Sequence, residues 1–165
     1  MLKIMVHEEL IERLVDTLKE KYGDRLISVV LFGSVARGEA RNDSDIDIIV
    51  VVDDLPRSRF ERQKEFLEVE ERLESIFERL LESGYLVDIS PILRTPDEII
   101  RLPPVLLDVV EDGIILYDRD DFFKGVLKRL KKRLKELGSK RVRMGKRWYW
   151  VLKPDYKFGE VIKIE

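Results

Sequence analysis

Cysteine is absent from the 165 residues, and histidine occurs once, as His7. Without thiols the chain can form neither a disulfide nor a thiolate metal site, so a cytoplasmic protein is expected. Asparagine and glutamine are almost missing as well, represented only by Asn42 and Gln63. No apolar run approaches the ~20 residues that cross a bilayer. Residues 1–6 are too short for the apolar region of a signal peptide, and acids follow at once, so no leader is expected. His7 stands where a helix would begin, which suits a capping or surface role rather than catalysis.

What the chain does contain is apolar and charged. Hydrophobic residues make up 44% and charged residues 39%, enough for one domain with a proper core. Glu, Lys and Arg dominate, as in proteins from very hot environments. The net charge of −2 conceals an asymmetry. Lys124 to Lys157 hold 14 Lys and Arg against 2 acids, while the rest of the chain holds 17 against 31. Such polarity implies an anionic partner or mutual docking of the two parts.

Residues 33–47 are the most informative stretch. Gly33-Ser34 is followed by ten residues and then by Asp45-Ile46-Asp47, which leads into the apolar run Ile48 to Val52. That run reads as a buried strand, and residues two apart on a strand share a face. Asp45 and Asp47 therefore point the same way and repel each other unless a cation sits between them. A hard divalent ion with oxygen ligands, Mg2+ above all, fits best. Upstream, the apolar strand Leu26 to Phe32 breaks at Gly33-Ser34. A small-residue turn opening into a short helix lets backbone N–H groups approach a phosphate. Phosphate donors beside a carboxylate pair suggest metal-assisted chemistry on a nucleoside triphosphate.

This pattern resembles the nucleotidyltransferase superfamily that includes DNA polymerase β, and within it the minimal, antitoxin-like nucleotidyltransferases. The hallmark of Gly-Ser, about ten residues and Asp-x-Asp is matched without a gap, and Ala36-Arg37-Gly38 and Ser44 also look like the minimal group. The resemblance covers residues 8–118 and, with the composition, makes a thermophilic archaeal source the expectation. It implies an α/β (α+β) fold with a small mixed sheet flanked by helices, carrying a third acid on a strand after a long helix. Asp88 lies there, within the apolar segment Leu86 to Leu93. An acid inside a core strand is costly unless it is paired, metal-bound or at an active edge.

The resemblance further implies Mg2+ on Asp45, Asp47 and Asp88, and ATP or another triphosphate cradled by Gly33 and Ser34. Asp88 would also help deprotonate an acceptor hydroxyl. Arg37 and Arg41 are candidate phosphate clamps, because a guanidinium matches phosphate oxygens in a fork. Known minimal members act as antitoxins that transfer AMP to a toxin protein, so a toxin-like protein acceptor is implied. RNA stays open as an acceptor, an oligomer is possible, and a partner-sequestering module with little activity is the reading from another class.

The remaining elements follow from periodicity. Leu10, Ile11, Leu14, Val15 and Leu18 form one stripe of a helix over 8–22. A long helix is expected after Pro56 up to Gly84. Thr95-Pro96-Asp97-Glu98 signals a short helix, restarted at Pro103-Pro104, and Ile114 to Tyr117 a last strand. Residues 1–118 are read as the core. Residues 119–165 are read as a basic helix capped by Asp120 or Asp121 and stopped at Gly138, then a tail. In that tail Lys140 to Arg147 reads as a basic loop, with Val161 to Ile164 strand-like at the end. Two readings of the tail stand side by side. Trp148, Trp150 and Leu152 share one strand face, which favours a hairpin packed on the body. Basic residues interleaved with aromatics also suit phosphate tracking and base stacking.

Overall fold

The computed structural model describes residues 2–145 and 147–164, with side chains from His7 onward. Its centre is a four-stranded sheet of β1 (Leu26–Phe32), β2 (Ile46–Val52), β3 (Ile89–Arg94) and β4 (Ile114–Asp118), in the order β3-β2-β1-β4. β1 runs antiparallel to β2 and β4, whereas β2 and β3 are parallel. The sheet is thus mixed, as expected. Every β1 residue is buried, and in β2 all but Asp47 are. Both faces are covered, which is why the two strands read as apolar runs rather than alternating ones.

One face, carrying Ile46, Ile48, Val50 and Val52, packs on α1 (Leu2–Tyr22), α3 (Arg59–Glu71) and α4 (Glu74–Glu82). The other, carrying Ile49 and Val51, packs on α5 (Pro96–Ile100), α6 (Leu106–Val109) and α7 (Phe122–Glu136). Thr95 and Glu98 form the reciprocal capping box that their spacing signals, with Pro96 in the first turn.

Several expectations change. The helix after Pro56 is two helices, divided where Leu73 N–H bonds Glu70 and Ile76 N–H bonds Leu73, each three residues back. α1 begins at Leu2, so His7 lies within the helix and is buried at 5% exposure instead of capping its start. Asp121 does hold the N-cap position of α7 but makes no capping bond; those bonds come from Asp118, whose carboxylate accepts the N–H groups of Phe123 and Lys124 and the Ser28 hydroxyl. Asp120 and Asp121 take left-handed backbone conformations and make the turn. Lys140–Met144 (β5) pairs with Arg147–Val151 (β6) in a hairpin where a basic loop was expected. Lys146, part of that expected loop, lies outside the described residues. No strand forms over residues 161–164. Among the described residues no helix is long and apolar enough to cross a membrane.

Arg62 has no counterpart in the sequence reading. It is buried at 6% exposure in α3, and its guanidinium donates to both Glu98 oxygens and to the carbonyls of Pro56 and Leu93. It thereby ties α3 to β3 and α5. Arg62→Met should remove all four bonds and leave Glu98 without its buried cationic partner, while Arg94 still donates to the Leu93 carbonyl, costing about 2–4 kcal/mol. Thermal unfolding should register a fall in Tm of several degrees, and an unchanged Tm would refute this role.

Candidate active site

β1 ends where Gly33 turns the chain into the one-turn helix α2 (Gly33–Ala36). Phe32 and Asp47 are register partners across β1 and β2, so the turn lies directly against the start of β2. Gly33 has φ +75°, and a Cβ there would stand 2.2 Å from Asp47 Oδ2. Only a residue without a side chain permits that contact. The Gly-Ser turn and the second acid of Asp-x-Asp are thus one structural unit.

Charge around Asp47 is unbalanced. Burial pushes its carboxyl above the usual carboxylate range, and the neighbouring Asp45 carboxylate pushes it further. The Arg37 guanidinium and the Ser90 hydroxyl favour the charged form, while Asp108 on α6 opposes it. Asp45 is exposed and Asp47 half-buried. Two hard oxygen donors with too little positive charge beside them suit a divalent cation.

Asp88 does not lie inside a strand. β3 begins at Ile89, and Asp88 is exposed just before it, where its carbonyl accepts the Ile46 N–H at 2.8 Å. The chain before it is held by a bond from Leu86 N–H to the Asn42 carbonyl, so the ladder starts two residues after Val87. Asp88 therefore stands level with Asp45 at the mouth of the parallel pair. Its carboxylate accepts the Ile89 N–H at 2.8 Å and acts on Glu70, whose carboxyl is raised by burial first and by Asp88 second. Among the described residues no three acidic or histidine side chains are arranged to enclose a metal ion. Asp45 and Asp47 are brought together, and Asp88 stands beside Asp45 across the parallel pair.

The other candidates divide. Ser34 is half-buried in α2, with its carbonyl accepting the Glu39 N–H at 2.9 Å. Arg37 pairs with Glu39 at 2.9 Å and faces Asp47. The Ser44 hydroxyl accepts the Arg41 N–H at 2.8 Å and closes the turn that leads into Asp45. Arg41 is exposed and stands 3.9 Å from Asp43.

Ser90 and Asp108 were missed. Ser90 was accessible, because Asp88 and Ser90 alternate with buried Val87 and Ile89 just as Asp45 and Asp47 flank Ile46. Asp108 carries no local signal; only the packing of α6 brings it near. The hairpin reaches this side too. Arg141 pairs with Asp112, whose carboxyl it holds below the usual range, and Arg37 acts on Asp112 in the same sense. Trp150 donates its indole N–H to the Leu107 carbonyl at 3.0 Å. Trp148 sits under the guanidinium groups of Arg141 and Arg143.

Residues 11–117 match the model of the nucleotidyltransferase domain family. The chain belongs to that family. This nucleotidyltransferase is 35% identical, over 130 residues, to a Methanocaldococcus jannaschii protein assigned as a protein adenylyltransferase. The match spans 78% of this chain and 83% of that relative. A shorter match, 44% over 59 residues, links it to the protein adenylyltransferase MntA of Thermococcus cleftensis, spanning 36% of this chain and 52% of the relative. Among solved structures it shares its fold with the spectinomycin adenyltransferase AAD(9) of Enterococcus faecialis, crystallised with ATP and spectinomycin. There the TM-score is 0.50 at 15% identity, covering 79% of this chain and 66% of that one. The hairpin lies beyond the matched family domain.

Proposed function

We propose that this nucleotidyltransferase moves AMP from ATP to a hydroxyl of a partner protein and releases pyrophosphate. The observation that carries the reading is the Gly33–Asp47 contact, which sets the Gly-Ser turn against a paired carboxylate lacking sufficient positive charge. The names of the two archaeal relatives support a protein acceptor, and the resemblance to the antitoxin-like group makes a toxin the narrower candidate.

Asp45 and Asp47 would hold Mg2+, with Asp88 at the edge of the set. Bound there, the ion would supply neutralisation of phosphate charge and alignment of the α-phosphorus. Gly33 lets the Asp47 carboxylate lie against the turn, and the Ser34 N–H and hydroxyl would take phosphate oxygens. Arg37 would add a forked, charge-assisted contact. Ser44 acts indirectly, by fixing the turn before Asp45. Asp88, exposed at the mouth, would accept the proton of an incoming hydroxyl. The acceptor oxygen bonds to the α-phosphorus as the bond to the bridging oxygen breaks, and pyrophosphate carries that electron pair away.

The test is transfer of label from α-32P-ATP with Mg2+ into a cell extract of the source organism. Label should enter a band destroyed by protease and spared by ribonuclease, and Asp45→Asn should abolish it. A ribonuclease-sensitive product would replace the protein acceptor with RNA. No Asp45-dependent label in either fraction would overturn the transferase reading.

A further inference from the structure

The site mouth has two flanks of different character. On one side lie Arg37 and the Arg141 of the hairpin, each paired with an acid, Glu39 and Asp112. On the other, beyond Asp88, the junction of α3 and α4 forms a groove of about 440 Å³ with Leu86 and Val87. Leu67, Leu81 and Leu86 are exposed there at 53%, 61% and 68%. Glu70, Glu71, Glu74 and Glu78 line it, and none of the four forms an ion pair among the described residues. Exposed leucines set among unpaired glutamates mark an interaction surface that is not finished by this chain alone. Asp88 links groove and site, since it directly follows Leu86-Val87 and acts on Glu70.

We infer that this groove docks the acceptor, and that the acceptor presents a basic amphipathic helix whose apolar side chains cover Leu81 and Leu86. The inference rests on the transferase reading and narrows its substrate class. Charge decides between acceptors: an RNA approaching over these glutamates would be repelled, whereas Lys and Arg flanking an apolar stripe are complementary to the groove. A segment seated there ends beside Asp88, so a hydroxyl on it or next to it meets the acids from the side opposite the triphosphate.

The test uses the full chain and a fluorescent helical peptide of Leu and Lys, read by anisotropy against a Leu/Glu peptide and a single-stranded RNA. Each probe is labelled and titrated alone, because the anionic probes pair with the cationic peptide in solution; the Leu/Lys peptide should bind and the Leu/Glu peptide should not. Leu81→Glu separates docking from bulk attraction. It makes the groove more acidic, so simple electrostatics requires tighter binding, whereas apolar docking requires binding about tenfold weaker or worse. Asp45→Asn/Asp47→Asn should leave peptide binding intact, so that failure of the transferase reading and failure of the groove are read separately. Equal or tighter binding by Leu81→Glu, or RNA binding that Leu81→Glu weakens, overturns the proposal.

Discussion

Gly33→Ala should cut nucleotide transfer by roughly 100-fold or more, the scale on which small displacements of a reacting group act. The added methyl carbon would lie 2.2 Å from Asp47 Oδ2 and 3.0 Å from its Cγ, so either the carboxylate or the turn must move. The backbone at φ +75° disfavours any side chain as well, and strain of that kind costs of order 1–3 kcal/mol. Activity and stability should therefore fall together. Kinetics of transfer and a thermal melt on one preparation check this. An alanine variant with wild-type transfer would mean that the Gly33–Asp47 contact has no part in the chemistry.

Asp47→Asn should behave differently: transfer falls by about 100-fold or more, while the fold becomes more stable at neutral pH. Burial and Asp45 raise the folded-state pKa of Asp47 above its ordinary 3.8. As pH rises, the unfolded chain gives up this proton before the folded one does. The stability it contributes is therefore complete below about 3.8 and is lost as pH climbs through the folded value. Asparagine stays neutral throughout. Its advantage in Tm should be near zero at pH 3, grow with rising pH and level off above the folded pKa. The expected gain is on the order of 1 kcal/mol, typical of one relieved unfavourable contact. A variant that is less stable than the parent at pH 7 would show that Asp47 is a structural anchor and not a functional acid held at a cost.

The sheet and the acid pair were legible because they are written locally. Leu26 to Phe32 and Ile48 to Val52 are buried on both faces, so their apolar runs announce them, and Asp45 and Asp47 announce themselves by interrupting such a pattern. Thr95 to Glu98 was equally plain, since a capping box is a matter of spacing. Asp88 was misplaced inside its strand because Leu86 and Val87 are as apolar as the strand itself; what ends the ladder is the bond from Leu86 N–H to Asn42, a partner 44 positions away. Arg62 and Asp108 were invisible for the same reason. Nothing near them in sequence says that Glu98 or Asp47 will be their neighbour. Asp121 holds the N-cap position of α7 as expected, but the capping bonds come from Asp118 because the left-handed pair Asp120-Asp121 folds the chain back, a geometry with no signature in the residue types alone. The hairpin came through because Trp148, Trp150 and Leu152 alternate, and Trp150 does pack on the body.

The central claim is that the acids against Gly33 form a joint site for a metal and a nucleotide. Isothermal calorimetry of the wild-type chain and of Asp45→Asn/Asp47→Asn, titrated with a non-hydrolysable ATP analogue with and without Mg2+, tests it without knowledge of the acceptor. The account predicts binding by the wild type that depends on Mg2+, and its loss in the double variant. Binding that is equal without Mg2+, or undiminished in the double variant, would contradict it.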